Sequence, residues 1–287
     1  MLVLKMRSVR RLLLLLALAL TGTATLPAQS DSLAPSRLTT RAWLLGVGRV
    51  NRLDTYLSPL EYTGPELHVV RETMRPTRWL AGRISTQRLV VAGVAYTHSP
   101  TDDGKAWSGQ IDGAWGYHYN WRPAPGLRLM AGAQAAGGLG FQYHTRNGNN
   151  PAQARADVAL SASLLAVYKF RLGRWPMTAR VQADAPLLGA MFTPHYGQSY
   201  YELFSLGHYD RNVRFTHPGN APSMRWLATL DVPLGRAVVR VGYLCDIRQS
   251  DVNHLKRHAW SHALLVGYVR HFTLIRPADR RRADMIY

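Results

Sequence analysis

Between residues 107 and 121 apolar and polar side chains change places at every step. The odd positions are Trp107, Gly109, Ile111, Gly113, Trp115, Tyr117, Tyr119 and Trp121, and the even positions are Ser108, Gln110, Asp112, Ala114, Gly116, His118 and Asn120. Successive side chains of a strand leave opposite faces, so one face here is aromatic and the other small and polar. A helix would scatter the same residues around its axis.

The pattern recurs along the chain. Residues 127–144 set Leu129, Ala131, Ala133, Ala135, Leu139, Phe141 and Tyr143 against Arg128, Gln134, Gln142 and His144. Residues 154–172 set Val158, Leu160, Leu164, Tyr168 and Phe170 against Arg155, Asp157, Ser161, Ser163, Lys169 and Arg171. Shorter versions occupy 177–185, 224–232 and 237–248. Several runs exceed the ~5 to 6 residues usual for a soluble strand. They suit a tilted membrane-spanning strand of ~9 to 11 residues with an extension into a loop. Aromatics gather at the strand ends, as at Trp107, Trp121, Tyr143 and Phe170, where a membrane interface would hold them. A soluble sandwich explains these lengths less well than a barrel does.

The expected fold is therefore all-β, an antiparallel transmembrane β-barrel of about ten strands between residues 41 and 273. Twelve strands is the alternative, because 191–222 has room for a further hairpin. Tight basic turns are expected at 75–78, 122–126, 172–176 and 233–236, and longer links at 53–64, 99–104, 145–153, 191–222 and 249–257. Short turns at one end and long loops at the other are the asymmetry of bacterial outer-membrane barrels.

The first residues carry an export address. Lys5, Arg7, Arg10 and Arg11 precede an apolar run at 12–20, and Leu26-Pro27-Ala28 supplies a cleavage site. This predicts a signal peptide over 1–28 and a barrel domain over 29–287, placed in the outer membrane. The apolar run is short of the ~20 residues a spanning helix needs, and no second long run follows, which excludes a helical membrane protein. Cys245 is the only cysteine, so no intrachain disulfide forms.

The net charge of +18 invites a nucleic-acid reading. Export and the scattering of the cations argue against it, and no nucleic-acid partner is expected. Outer-membrane lipids are the expected partners, with lipopolysaccharide phosphates as contacts for the surface cations. The oligomeric state is left open.

Alternation turns Asp112, Asp157, Asp184, Asp231 and Asp246 inward, together with Arg128, Arg155, Lys169, Arg171, Arg180, Arg225, Arg240 and Arg248. About eight strands leave almost no bore and about sixteen leave a channel, so in a barrel this narrow these side chains are expected to pair and fill the lumen. The reading is a non-enzymatic structural or surface protein. Its first rival is a narrow anion-preferring channel, suggested by the inward excess of cations.

The second rival is a lipid acyl hydrolase. A nucleophilic serine needs its base within ~3 Å on the same face. His98 and Ser99 are adjacent, as are Ser261 and His262, so each pair points to opposite faces; His195 and Ser199 fall in a loop. No catalytic residue is assigned. His254, His258 and His262 have helical metal-site spacing but sit where a loop runs into a strand, and Asp102-Asp103-Gly104 reads as a turn. No metal or cofactor is expected.

Residues 51–64 (NRLDTYLSPLEYTG) and 196–207 (YGQSYYELFSLG) are aromatic and sparsely charged for loops. Tyr196, Ser199, Tyr200, Tyr201 and Phe204 are expected to pack over the barrel mouth, with ligand or partner recognition as the alternative. At these segments the sequence resembles a Bacteroidetes family of exported proteins, classed as a domain of unknown function and regarded as outer-membrane barrels. The resemblance runs from about Asn51 to Phe272 and implies a barrel fold without assigned catalytic residues. In one respect the chain departs from common barrels, which end on a strand with a terminal aromatic. Here Phe272 is followed by a basic tail, 276–287.

Overall fold

Strands that alternate on both faces of a membrane must pair with one another until no edge is left, because lipid offers nothing to an unpaired amide. A computed structural model describes residues 38–146, 148, 150–235 and 237–273 of the chain. The expected leader 1–28, the basic tail and Arg236 of the turn at 233–236 lie outside the described residues. The strands are β1 (Leu38–Asp54), β2 (Ser58–Pro76), β3 (Ile84–His98), β4 (Lys105–Ala124), β5 (Leu127–His144), β6 (Ala152–Leu172) and β7 (Trp175–Phe192). A one-turn helix α1 (Tyr200–Phe204) and the short β8 (Val213–Thr216) follow, then β9 (Ser223–Leu234), β10 (Ala237–Val252) and β11 (Leu255–Thr273). Each long strand pairs antiparallel with its neighbour, and β11 returns to β1 from Leu38↔Thr273 to Asp54↔Arg257. The result is a closed antiparallel barrel of ten strands. β8 adds only a four-residue rung to the end of β7, so 191–222 contributes no further hairpin to the barrel and the count is ten, not twelve.

Three expected links differ. β1 passes to β2 through 55–57, and β10 to β11 through Asn253 and His254, both with left-handed φ (55° and 61°), so 53–64 and 249–257 are not loops. Pairing runs on there beyond the apolar belt, with Leu57, Tyr62, Val252 and Leu255 buried inside the extension. The link at 75–78 is in fact 77–83, where Leu80 and Ala81 take positive φ of 48° and 54°.

Inside, one part of the wall is apolar. Leu44, Val70, Leu89, Val91, Leu227, Leu244, Leu265 and Val269 form one buried cluster with Ala42 and Ala263. They come from β1, β2, β3, β9, β10 and β11. Each fully buried aliphatic side chain contributes about 1.5 to 3 kcal/mol. This plug was not expected from a polar-in pattern. It exists because several strands are apolar on both faces: in β11, Ala263 and Leu265 are buried while Leu264 and Val266 are exposed.

The outer face is the reverse of a soluble surface. Leu45, Val47, Leu67, Val94, Ile111, Leu139, Val158, Leu160, Leu164, Leu264 and Val266 stand exposed around the barrel. Exposed aromatics flank this belt: Trp43, Tyr119, Trp121, Tyr168, Trp175 and Tyr268 towards the short-turn end, and Trp107, Phe141, Tyr143 and Trp260 towards the loop end. The guanidinium of Arg71 lies 5.0 Å over the Trp43 ring and that of Arg270 lies 5.4 Å over Tyr268, a placement that shields an outward cation while its stem covers apolar surface.

Candidate functional site

The polar interior is organised in three clusters. Nearest the short turns, Glu72 of β2 accepts from Arg180 Nη1 and Nη2 at 2.6 Å each, from Arg240 Nη1 at 2.7 Å and from Gln87 at 2.7 Å. Arg240 also grips Asp231 through Nε at 2.5 Å and Nη2 at 2.8 Å. Gln87 carries the network on to Gln134 and Gln182, and Gln134 reaches Ser163, which lies 2.9 Å from His118 Nε2.

In the middle, Arg225 and Arg248 are held between two acids. Arg225 donates to Asp246 at 2.7 Å and to Asp112 at 3.2 Å, and Arg248 donates to Asp112 at 2.8 Å through Nη1 and to Asp246 at 2.8 Å through Nη2. Towards the loops, Arg155 donates to Asp54 at 3.0 Å and to Gln142 at 2.8 Å, Arg257 lies 3.5 Å from Asp54, and Arg52 donates to Glu66 at 3.1 Å.

Of the lumen residues expected from sequence, Asp112, Arg155, Arg180, Arg225, Asp231, Arg240, Asp246 and Arg248 therefore meet in ion pairs. The remainder do not. Lys169 and Arg171 face inward by parity but stand exposed at the short-turn end of β6, beyond the packed interior. Arg128 is half-buried, and with Asp157 and Asp184 it takes part in no ion pair among the described residues. Sequence reasoning missed Arg52, Asp54, Glu66, Glu72 and Arg257, and with them the acid that joins Arg180 to Arg240.

The cluster at Ser261, His68 and Glu66 contains the residue types of a hydrolase. Ser261 Oγ donates to Glu66 Oε2 at 2.5 Å, and His68 Nε2 lies 3.2 Å from that Oγ and 3.1 Å from the same carboxylate oxygen. An activated serine passes its proton to one imidazole nitrogen while the carboxylate holds the other. Here the acid accepts the serine hydrogen bond directly, and His68 Nδ1 is buried without a partner among the described residues. This is a hydrogen-bonded brace. The other serines named above are equally committed: Ser99 Oγ donates to Asp103 at 2.9 Å, and Ser199 caps α1. Ser261 faces inward, whereas His262 faces outward to the Tyr243 hydroxyl at 2.7 Å. His258 stacks on Trp260, and His254 sits in the β10–β11 turn.

The loop at the barrel mouth divides its aromatics. Tyr56 donates to Gln198 O at 2.8 Å and meets Tyr200 edge-on at 6.0 Å. Burial first, then nearby Tyr200, pushes Tyr56 up to about 12. Tyr200 accepts from the Ala154 amide at 2.6 Å, and Leu203 is fully buried. Tyr196, Tyr201 and Phe204 are instead exposed. Packing thus takes Tyr200 and leaves the other three outside.

Ser199 and Glu202 form a reciprocal cap on α1. The Ser199 amide and then its hydroxyl hold the Glu202 carboxyl below the ordinary range. A depressed acid supports the fold above its unfolded pKa and loses that support as pH falls through the folded value. Exchange protection of the Leu203 amide is therefore expected to hold from neutral pH down to about pH 4 and to fall below it. Ser199→Ala should lower that protection at every pH by about 1 kcal/mol. Protection that stays flat as pH falls well below about 4 would contradict the cap.

A family model described as a protein of unknown function (DUF3316) matches residues 11–279. The chain belongs to this family. No curated protein matches it. Among solved structures, the transport unit of the autotransporter AIDA-I from Escherichia coli is similar at 10% identity, with 87% of this chain and 95% of that one covered and a TM-score of 0.40. The outer membrane protease OmpT from Escherichia coli is similar at 9% identity, with 85% and 99% covered and a TM-score of 0.44. An outer membrane channel from Pseudomonas putida F1 is similar at 11% identity, with 86% and 100% covered and a TM-score of 0.36. Likenesses this loose carry no activity over to a DUF3316 member.

Proposed function

We propose that the chain is an outer-membrane barrel of the Bacteroidetes exported type, that it passes no solute, and that its work is structural or at the cell surface. The exposed apolar belt and its aromatic borders support the membrane placement. The observation that carries the reading is the filled lumen: an apolar plug on one part of the wall, and guanidinium–carboxylate pairs crossing between the others.

The channel rival rested on an inward excess of cations. With Lys169 and Arg171 outside the packed interior, adding the residues that sequence missed removes that excess: Arg180 and Arg240 are met by Glu72 and Asp231, and Arg52, Arg155, Arg225 and Arg248 by Glu66, Asp54, Asp246 and Asp112. A matched lumen gives an anion no reason to enter. The hydrolase rival is disfavoured by the hydrogen-bond arrangement of Ser261, His68 and Glu66, in which the serine donates to the acid and His68 Nδ1 has no acid to orient it among the described residues. Lys105, Arg211, Arg214 and Lys256 are exposed at the loop end, and we assign them to lipopolysaccharide phosphates.

Planar-bilayer recording tests the proposal. Purified protein should insert and give no discrete conductance steps; anion-selective steps would overturn the closed-lumen reading.

A further inference from the structure

The wall of the barrel is interrupted at one place. β7 pairs with β9 from Thr178↔Asp231 to Asp184↔Arg225, and with β8 from Gly189↔Thr216 to Phe192↔Val213. Residues 185–188 between them have no strand on that side among the described residues. The sequence causes this. Pro186 has no amide hydrogen to give and is tolerated where a strand lacks a partner. Leu187 is an extra residue, since Leu160↔Leu188 is followed directly by Ser161↔Pro186, and such a bulge bends the strand. Opposite, residues 217–222 loop out. The His217 amide donates to Asn220 Oδ1 at 2.9 Å, and Asn220 O accepts from the Asp251 amide at 2.8 Å, which ties the loop to β10 instead of β7.

Behind the gap lies a cavity of about 160 Å³, with Leu187, Leu188, Met191 and Met224 near its mouth and Ser161, Asp157 and Asp184 on its inner wall. On the outer face an apolar groove of about 540 Å³ runs past Ile111, Leu139 and Phe192, and it shares Asp157, Val158 and Met191 with the cavity. The groove is open because Gly113 stands where a side chain would fill it: a Cβ there would meet nothing within 4 Å.

Three polar groups in the cavity stand outside the ion-pair clusters. Ser161 is only 3% exposed and makes no hydrogen bond among the described residues. Asp157 has neither hydrogen bond nor ion pair among them. Asp184 accepts from the Ser163 hydroxyl and the Gln182 side-chain amide but faces no cation within ion-pair distance among the described residues. Of the guanidiniums that line the cavity, Arg225 and Arg248 are engaged by Asp112 and Asp246, and Arg155 and Arg257 share Asp54. Carboxylates held away from water with no cation in direct contact are costly, and a cation brought by a ligand lowers that cost.

We propose that gap, groove and cavity form a site for a single-chain amphiphile with an amine head, taken up sideways from the bilayer. The ammonium meets Asp157 and Asp184, Ser161 accepts one of its hydrogens, and the chain lies in the groove over Gly113. At ~30 Å³ per water molecule, the cavity suits a head of a few heavy atoms and no more. The site rests on the membrane placement proposed above.

Calorimetric titration of the detergent-solubilised protein with dodecylamine, dodecanoate and dodecanol tests it. Saturable binding is expected for the amine alone. Asp157→Asn with Asp184→Asn should weaken it by about tenfold or more. Gly113→Leu, at a position with space for a side chain, should weaken it by blocking the chain while leaving the barrel folded on a gel without heating. Equal uptake of all three amphiphiles, or amine binding that survives either variant, would overturn the site. A protein that inserts into liposomes and binds no amine would overturn the site alone, whereas one that stays soluble without detergent would overturn the membrane reading as well.

Discussion

Replacing Glu72 by alanine is expected to destabilise the barrel by about 3 to 5 kcal/mol, the cost of removing one partner from a buried ion pair. Glu72 is 2% exposed and serves two guanidiniums, Arg180 and Arg240, of which Arg240 is 1% exposed. Alanine leaves both facing an empty space, with only Arg240 still matched by Asp231. Against a total stability of about 5 to 15 kcal/mol, such a loss should be visible as a shifted midpoint in urea unfolding of the refolded protein in lipid. Glu72→Gln keeps the shape and some hydrogen bonds and should fall between alanine and the natural residue. Glu72→Leu combined with Arg180→Leu and Arg240→Leu should recover much of the loss, since apolar packing can replace a buried network, although Asp231 would then lose its partner. A cost below about 1 kcal/mol for Glu72→Ala would mean that water takes the place of the carboxylate, and the lumen would then be wetter than its packing implies.

The parts of this interior that could be read from sequence are those where inward residues are small or polar. β4, β5 and β6 alternate plainly because Ser108, Asp112, Gln134, Gln142, Ser161 and Ser163 face in while tryptophans, leucines and tyrosines face out. On β2 the code is inverted at the decisive point: Val70 is buried and Arg71 exposed, so Glu66 and Glu72 beside them give no clear face. β1, β3 and β11 carry apolar residues on both sides because the plug needs them, and that blurs the period of two. Asp54 and Arg257 lie in stretches where pairing outruns the apolar belt and the chain reads as loop. Pairing partners were beyond reach for a different reason. Asp112 on β4 meets Arg248, 136 residues later on β10, and only the register of the closed barrel brings those two levels together. Parity alone assigns a face; it left Asp157 and Asp184 inside but could not say that no guanidinium reaches them.

Leu264→Arg is expected to cost about 2 to 4 kcal/mol in a bilayer, the penalty for a cation facing lipid near mid-membrane on a barrel. Leu264 is 67% exposed and sits in the middle of β11, paired with Val47 on one side and Tyr243 on the other. In a water-soluble protein the same change at so exposed a site would alter stability by no more than about 0.5 kcal/mol, and it would improve solubility. The two environments therefore predict different results for one substitution. Depth provides the internal control. Tyr268→Arg lies four residues nearer the short turns, among the bordering aromatics and beside Arg270, where an arginine can reach the headgroups and should cost about 0 to 1 kcal/mol. Unfolding free energies measured in liposomes should thus rank natural protein, Tyr268→Arg and Leu264→Arg in falling order. Equal values for the two variants would mean that the exposed leucines and valines meet no hydrocarbon. The alternation that closes the sheet would then need a different cause, such as a protein partner covering the whole belt.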